Sequence, residues 1–276
     1  MGYTLADALT WGVSRQRNSA MAQAIRANMR LVLGEEASDQ QVEQAVTGVF
    51  RNAGRAYYDL YHALGAGRKA VLSSVTFTPQ AESYLARYGQ IGGGGVVVSA
   101  HISNFDLAGL AFATRGIPLQ ALTWPTPTSG YDIQNEIRQS WGIDITPVSM
   151  SALRQALDRL RSGGLVITGI DRPAPTGSGD PLNFFGQTVY LPTGHVRLAL
   201  QADVPIAVAT VHNDPQRLHA YVVDVESPLM LEMKETRAAT IQHNAQWVLS
   251  LIEAIIRANP EQWLMFYPMP VSYTHL

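Results

Sequence analysis

The stretch Gly95-Val96-Val97-Val98-Ser99-Ala100-His101-Ile102-Ser103-Asn104-Phe105-Asp106 decides the fold. Three consecutive valines behind the glycine run Gly92 to Gly95 have the composition of a buried strand, the kind found inside parallel sheets. The strand ends at Ala100. His101 then stands at its C-terminal edge, where open α/β sheets place their ligands. Asn104 is a capping residue, so a helix is predicted to start beside it, with Asp106 in the first turn.

The pattern continues outward from this unit. Helices are predicted near 104–115, 129–141, 150–162, 193–202 and 235–258, and short strands near 119–124, 143–147, 164–169, 182–185, 204–211 and 219–225. Alternating strands and helices predict an α/β fold with a mixed, largely parallel sheet flanked by helices. Before it, residues 1–67 read as helix. Met21, Ile25, Met29 and Val32 share a helical spacing, and Val42 to Leu60 repeat it. Gly34 ends the first run and Ser38 caps the second. Val71 to Phe77 reads as a short strand, and Thr78-Pro79 opens a short helix. The expected organisation is one domain over 1–276, with a helical part over 1–67 and an α/β core over 68–270. The loop Pro173 to Pro181 is rich in Pro, Gly and Ser and lies where function is expected.

Bulk properties narrow the function. The chain has 276 residues, a net charge of -2 and no cysteine. Weak net charge argues against nucleic acid as a partner. Absent cysteine removes thiolate nucleophiles and Cys-based metal sites. The histidines other than His101 show no metal-ligand spacing, so no metal is expected. No G-x-S-x-G elbow, Walker loop or dinucleotide fingerprint occurs. No secretory signal and no run of about 18 apolar residues is seen, so any membrane attachment is expected to be peripheral.

His101 and Asp106 are the candidate catalytic pair. A carboxylate on one ring nitrogen would set the tautomer and leave the other nitrogen to take a proton from an alcohol. The same residues also fit a strand-end histidine tied into a capping network.

The segment resembles a known family. A His and an acid separated by four residues, HX4D or HX4E, mark the glycerolipid acyltransferase superfamily. The setting is similar to the branch of lipid A late acyltransferases and phosphatidylinositol mannoside acyltransferases, which shows an apolar strand and then H-x-G-N-W/F-E/D. Ser103 stands where that branch has glycine. Asn135-Glu-Ile-Arg138 is similar to a second block. Asp171-Arg172, Phe184-Phe185-Gly186 and Pro192-Thr193-Gly194 are similar to a third, and Pro260-Glu261-Gln262-Trp263 to a C-terminal P-E-Q-W signature.

The resemblance implies transfer of a fatty acyl group from acyl-CoA or acyl carrier protein, with no bound cofactor, to a hydroxyl of a membrane lipid of the glycolipid or lipid A type. It implies His101 and Asp106 as catalytic residues. Substrate contacts are expected from Asn104, Arg138, Asp171, Arg172, Phe185, Gly186, Thr193 and Gly194. Some branch members carry Glu just after F-F-G, near the catalytic His; this chain has Gln187. Val271 to Leu276 lacks the Lys and Arg of that branch's ending and is assigned no role. The expected location is the cytoplasmic face of the cell membrane. Contact is expected through Leu5, Leu9, Trp11, Met21 and Ile25 with Arg15, Arg17, Arg26 and Arg30. Two other readings share the residues: a hydrolase in which His101 activates water, and a non-catalytic lipid-binding homologue.

Overall fold

A computed structural model describes residues 2–16, 18–88, 93–124, 129–173 and 179–269. Gly92 of the glycine run, Arg17, the middle of the Pro173–Pro181 loop and the end of the chain from residue 270 lie outside the described residues, as does the side chain of Leu5.

The first part is helical: α1 (Gly2–Ser14), α2 (Ala20–Leu33), α3 (Asp39–Ala66) and α4 (Arg68–Ser73). Ser38 caps α3 in a capping box with Gln41, which satisfies backbone donors at both ends of the motif. The extended segment expected over Val71–Phe77 is shorter than predicted. Residues Arg68–Ser73 are helical and only β1 (Val75–Phe77) is a strand. Val71 is buried while Leu72 and Ser73 are both exposed, and burial returns only at Val75, a spacing that strict strand alternation would not give.

The core then runs α5 (Pro79–Tyr88), β2 (Gly95–Ser99), α6 (Phe105–Ala113), β3 (Leu119–Thr123), α7 (Ser129–Ser140), β4 (Asp144–Pro147), α8 (Met150–Arg161) and β5 (Leu165–Gly169). After it come β6 (Asp180–Phe184), β7 (Gln187–Leu191), α9 (Gly194–Ala202), β8 (Ile206–Asn213), β9 (Tyr221–Val225) and α10 (Arg237–Ala258). Seven strands form one sheet in the order β1-β9-β8-β2-β5-β3-β4. β8 and β9 pair antiparallel; the other pairs are parallel. This is the predicted α/β class.

β2 sits between β5 and β8, where the chain's excursions to the two sides of the sheet separate. The crevice beyond the C-terminal ends of such strands is the natural ligand site. Val96 and Val98 face one core layer, built with α2, α8, α9 and α10. Val97 faces the other, with α4, α5 and α6.

The strand expected at 182–185 is β6, but it does not join the main sheet. It forms a separate hairpin with β7, which was not anticipated. Phe184 pairs with Gln187, leaving Phe185 (φ 52°) and Gly186 (φ 82°) as a two-residue turn with both residues left-handed. The hairpin is fastened to α10: the Phe185 N–H donates to Glu253, and Asn183 exchanges bonds with Gln246.

Among the described residues no helix is long and apolar enough to cross a membrane. The apolar residues proposed for membrane contact divide. Leu9, Trp11 and Met21 are 64%, 55% and 44% exposed, whereas Ile25 is fully buried in the core beneath α2. Arg26 is paired with Glu43 and Arg30 with Asp39.

Candidate active site

The β2–β5 register builds the site. Ser99 is aligned with Gly169, so His101 and Asp171 each lie two residues beyond the same row of neighbouring strands. Parallel neighbours are about 4.8 Å apart, and the two side chains meet. Asp171 Oδ1 is 2.7 Å from His101 Nδ1, and Asp171 Oδ2 accepts the His101 backbone N–H at 2.8 Å. The indole N–H of Trp263 donates to the same Oδ2 at 2.8 Å. Asp171 and Trp263 are completely buried. A buried carboxylate is tolerated when its lone pairs are used, and here three donors use them.

These contacts fix the tautomer. An ionised carboxylate only accepts, so Nδ1 carries the proton and Nε2 is left as the basic nitrogen. Burial pushes the Asp171 carboxyl pKa upward, but the imidazole, the backbone amide and the indole hold it below its usual range. Burial likewise lowers the imidazole pKa. The Asp171 carboxylate more than offsets that, against Arg172 and Arg138, and the pKa of His101 ends above its ordinary value. The imidazole lies against Gly169, where an added Cβ would come within 2.9 Å of Cε1.

The expected pairing of Asp106 with His101 is not formed. Asp106 Oδ1 accepts two bonds from Arg138, from Nε at 2.8 Å and Nη2 at 2.6 Å, and Arg138 also donates to Asn135 at 2.9 Å. The first turn of α6 presents Asp106 to α7, while the strand register delivers Asp171 to the imidazole. Spacing along the chain matched Asp106 to His101; alignment across the sheet matched Asp171.

Ser103 explains a departure noted in the sequence. It is left-handed at φ 52°, a conformation that suits glycine and costs another residue about 1–2 kcal/mol. Its N–H donates to the Gln262 carbonyl at 2.8 Å and its hydroxyl to Asn213 at 2.9 Å. Asn104 is buried and committed to the fold: it accepts from the Leu107 N–H as helix cap and donates to the Ala56 carbonyl of α3.

His101 opens onto a cavity of about 660 Å³. Its polar end, the mouth, is lined by His101 with Asp106, Arg138, Arg172, Thr193 and Gly194. Arg172 is held there over the rings of Trp124 and Tyr267, at 4.5 and 3.9 Å. Thr193 donates its hydroxyl to Asp180, and Gly194 opens α9. Behind the mouth the walls are apolar. The cavity runs between the sheet (Val97, Ala121, Ile167, Ala209) and α6 (Ala108, Gly109, Phe112).

The model of the bacterial lipid A biosynthesis acyltransferase family matches residues 1–269. The chain belongs to this family. A search of curated proteins returns no match. The family activity is acyl transfer to lipid A-like substrates, so an acyl donor and a lipid acceptor are its partners.

Within this acyltransferase the remaining sequence blocks support the site from behind. The P-E-Q-W segment forms a turn over Pro260–Gln262, and Trp263 makes a backbone bridge with Ile102. The Leu264 N–H donates to the His101 carbonyl at 2.7 Å. Phe184 and Phe185 pack on the Trp263 ring, each with centroids at 6.0 Å.

Of the residues expected to touch substrate, Arg138, Arg172, Thr193 and Gly194 line the cavity. Phe185 and Gly186 form the hairpin turn and do not line it, and Asp171 stands behind His101. Gln187 is exposed at the hairpin end and also lies outside the lining. The role of Trp263 was missed as a contact. Its signature was visible, but nothing along the chain links residue 263 to 171.

Proposed function

We propose that this chain moves a fatty acyl group from a thioester, acyl-CoA or acyl carrier protein, to a hydroxyl of a lipid A-type membrane glycolipid, with His101 as general base. The observation that carries the reading is His101, paired with the buried Asp171, at the polar mouth of an apolar cavity. In this reading the acyl chain lies in the cavity, and its thioester carbonyl rests beside Nε2. Nε2 takes the acceptor's hydroxyl proton as the oxygen attacks the carbonyl. The C–O bond forms, the C–S bond breaks, and the departing thiolate takes the proton back from the imidazolium. Base catalysis of this kind contributes roughly 10²–10⁴-fold.

Asp171 orients the ring and stabilises the imidazolium. Asp106 acts on the other side of the mouth, where it holds Arg138 for anionic groups of donor or acceptor. Backbone amides at the start of α9, near Gly194, supply the oxyanion contact. The exposed Leu9, Trp11 and Val13 of α1 supply the peripheral contact with the cytoplasmic face of the membrane.

The test is His101→Ala, with folding checked by thermal melting because the substitution takes one of three donors from the buried Asp171 carboxylate. Acyl transfer, followed by mass spectrometry of the product lipid, is expected to fall at least ~10²-fold. Transfer within a few-fold of the parent in a folded variant overturns the mechanism.

A further inference from the structure

Tyr84, standing over Gly95, lies at the end of the cavity away from His101. Tyr84 of α5 lines the cavity and is 4% exposed. Its hydroxyl stands over Gly95, where an added Cβ would lie 2.6 Å from the oxygen. Gly95 is aligned with Leu165, and Leu165 with Leu119, so Tyr84 sits at the first row of the sheet. Leu119 lines the cavity at that row. His101 is at the opposite end, beyond the row of Ser99 and Gly169. Among the described residues the Tyr84 hydroxyl has no hydrogen-bond partner. The ring is therefore placed by packing, and by the notch that a residue without a side chain leaves in β2.

We infer that Tyr84, seated in the notch at Gly95, is the stop that sets the length of the acyl chain this enzyme accepts. The inference rests on the reading that the acyl chain occupies this cavity. Four strand residues separate the two rows, roughly 13 Å at about 3.3 Å each. An extended chain advances roughly 1.2 Å per bond, since three backbone bonds span about 3.3–3.6 Å. The stop therefore selects a saturated chain on the order of twelve carbons. Each methylene buried adds about fourfold in affinity, and the first one that meets the tyrosine adds nothing.

Tyr84→Ala opens the floor by about the length of a phenol ring, and Tyr84→Trp raises it. Tyr84→Phe keeps the stop and removes an oxygen that bonds nothing among the described residues. Gly95→Ala leaves the backbone unstrained and displaces the ring towards the mouth.

The experiment measures binding of saturated fatty acids of eight to eighteen carbons to the purified full chain, by displacement of a fluorescent fatty acid. Folding is checked by thermal melting. Affinity of the parent is expected to rise with length and then break near twelve carbons. Tyr84→Ala moves the break about four carbons longer, a gain on the order of 10²-fold for the longest bound chains. Tyr84→Trp and Gly95→Ala move it shorter, Tyr84→Phe leaves it in place, and Gly95→Ala loses its effect in the Tyr84→Ala background.

Gly109→Leu separates this inference from the reading beneath it. Residue 109 lines the middle of the cavity, and a Cβ there meets nothing closer than Ile143 at 3.9 Å. If Gly109→Leu abolishes binding of long chains while Ala and Trp at position 84 keep the parent's break, the length stop is wrong and the acyl cavity stands. If Gly109→Leu also leaves the profile unchanged, the chain does not lie in this cavity and both fail.

Discussion

Asp171→Asn separates the two acids that compete for the role of His101's partner. The substitution keeps the volume and removes the charge. Three donors converge on the Asp171 carboxylate: the His101 backbone N–H, the Nδ1–H and the Trp263 indole N–H. An asparagine has one acceptor oxygen, and its own amide hydrogens would face at least one of those donors. A hydrogen bond to a charged group contributes about 1.5–3 kcal/mol. Lost in a transition state where the imidazolium forms, that is about 10- to 150-fold in kcat. A mis-set tautomer adds to the loss.

The pH profile has a definite sign. The base must be neutral, so kcat/KM of the parent rises with pH through the pKa of His101, which Asp171 holds above the ordinary 6.5. Without the carboxylate, burial and the guanidiniums of Arg172 and Arg138 remain, and all of them lower that pKa. The acid limb of Asp171→Asn is therefore expected below 6.5. Thiol release from acyl-CoA over pH 5 to 9 would measure it. An acid limb that stays put or moves upward, or activity within about threefold of the parent, refutes the pairing. Should Asp106→Asn shift the limb while Asp171→Asn does not, Asp106 regains the role.

Charge removal at Arg138 or Arg172, both at the cavity mouth, is expected to raise KM more than it lowers kcat; a pure kcat effect in steady-state kinetics counts against phosphate binding there. Trp263→Phe keeps most of the packing on Phe184 and Phe185 but removes the indole donor to Asp171, leaving a more basic carboxylate beside the imidazole. Its acid limb is expected to move upward, opposite to Asp171→Asn, and an unmoved limb in a folded variant would show the indole to be packing alone. For the membrane, truncating residues 1–30 would strip the core of the fully buried Ile25, so serine at Leu9, Trp11 and Val13 is the cleaner perturbation. Co-sedimentation with anionic vesicles is expected to fall severalfold and to weaken with salt; unchanged binding places the contact elsewhere.

Much of the fold was readable from short-range pattern. The triple valine of β2, the cap at Ser38 and the stripe Ile241 to Ile255 on α10 are local signals: side-chain period and end chemistry are properties of consecutive residues. The same holds for His101, whose position follows from the end of a single strand. The hairpin's second strand was legible too, in the alternation of Val189 and Leu191 after a Phe-Gly turn, and was passed over. The partner of His101 was not. Asp106 and Asp171 are both carboxylates near plausible turns, and only the pairing of β2 with β5 decides which one stands behind the imidazole. Register between strands seventy residues apart is set by which apolar faces pack together across the whole sheet. The cavity, its tyrosine floor and the indole behind Asp171 follow from that same packing, so they belong to the tertiary structure alone.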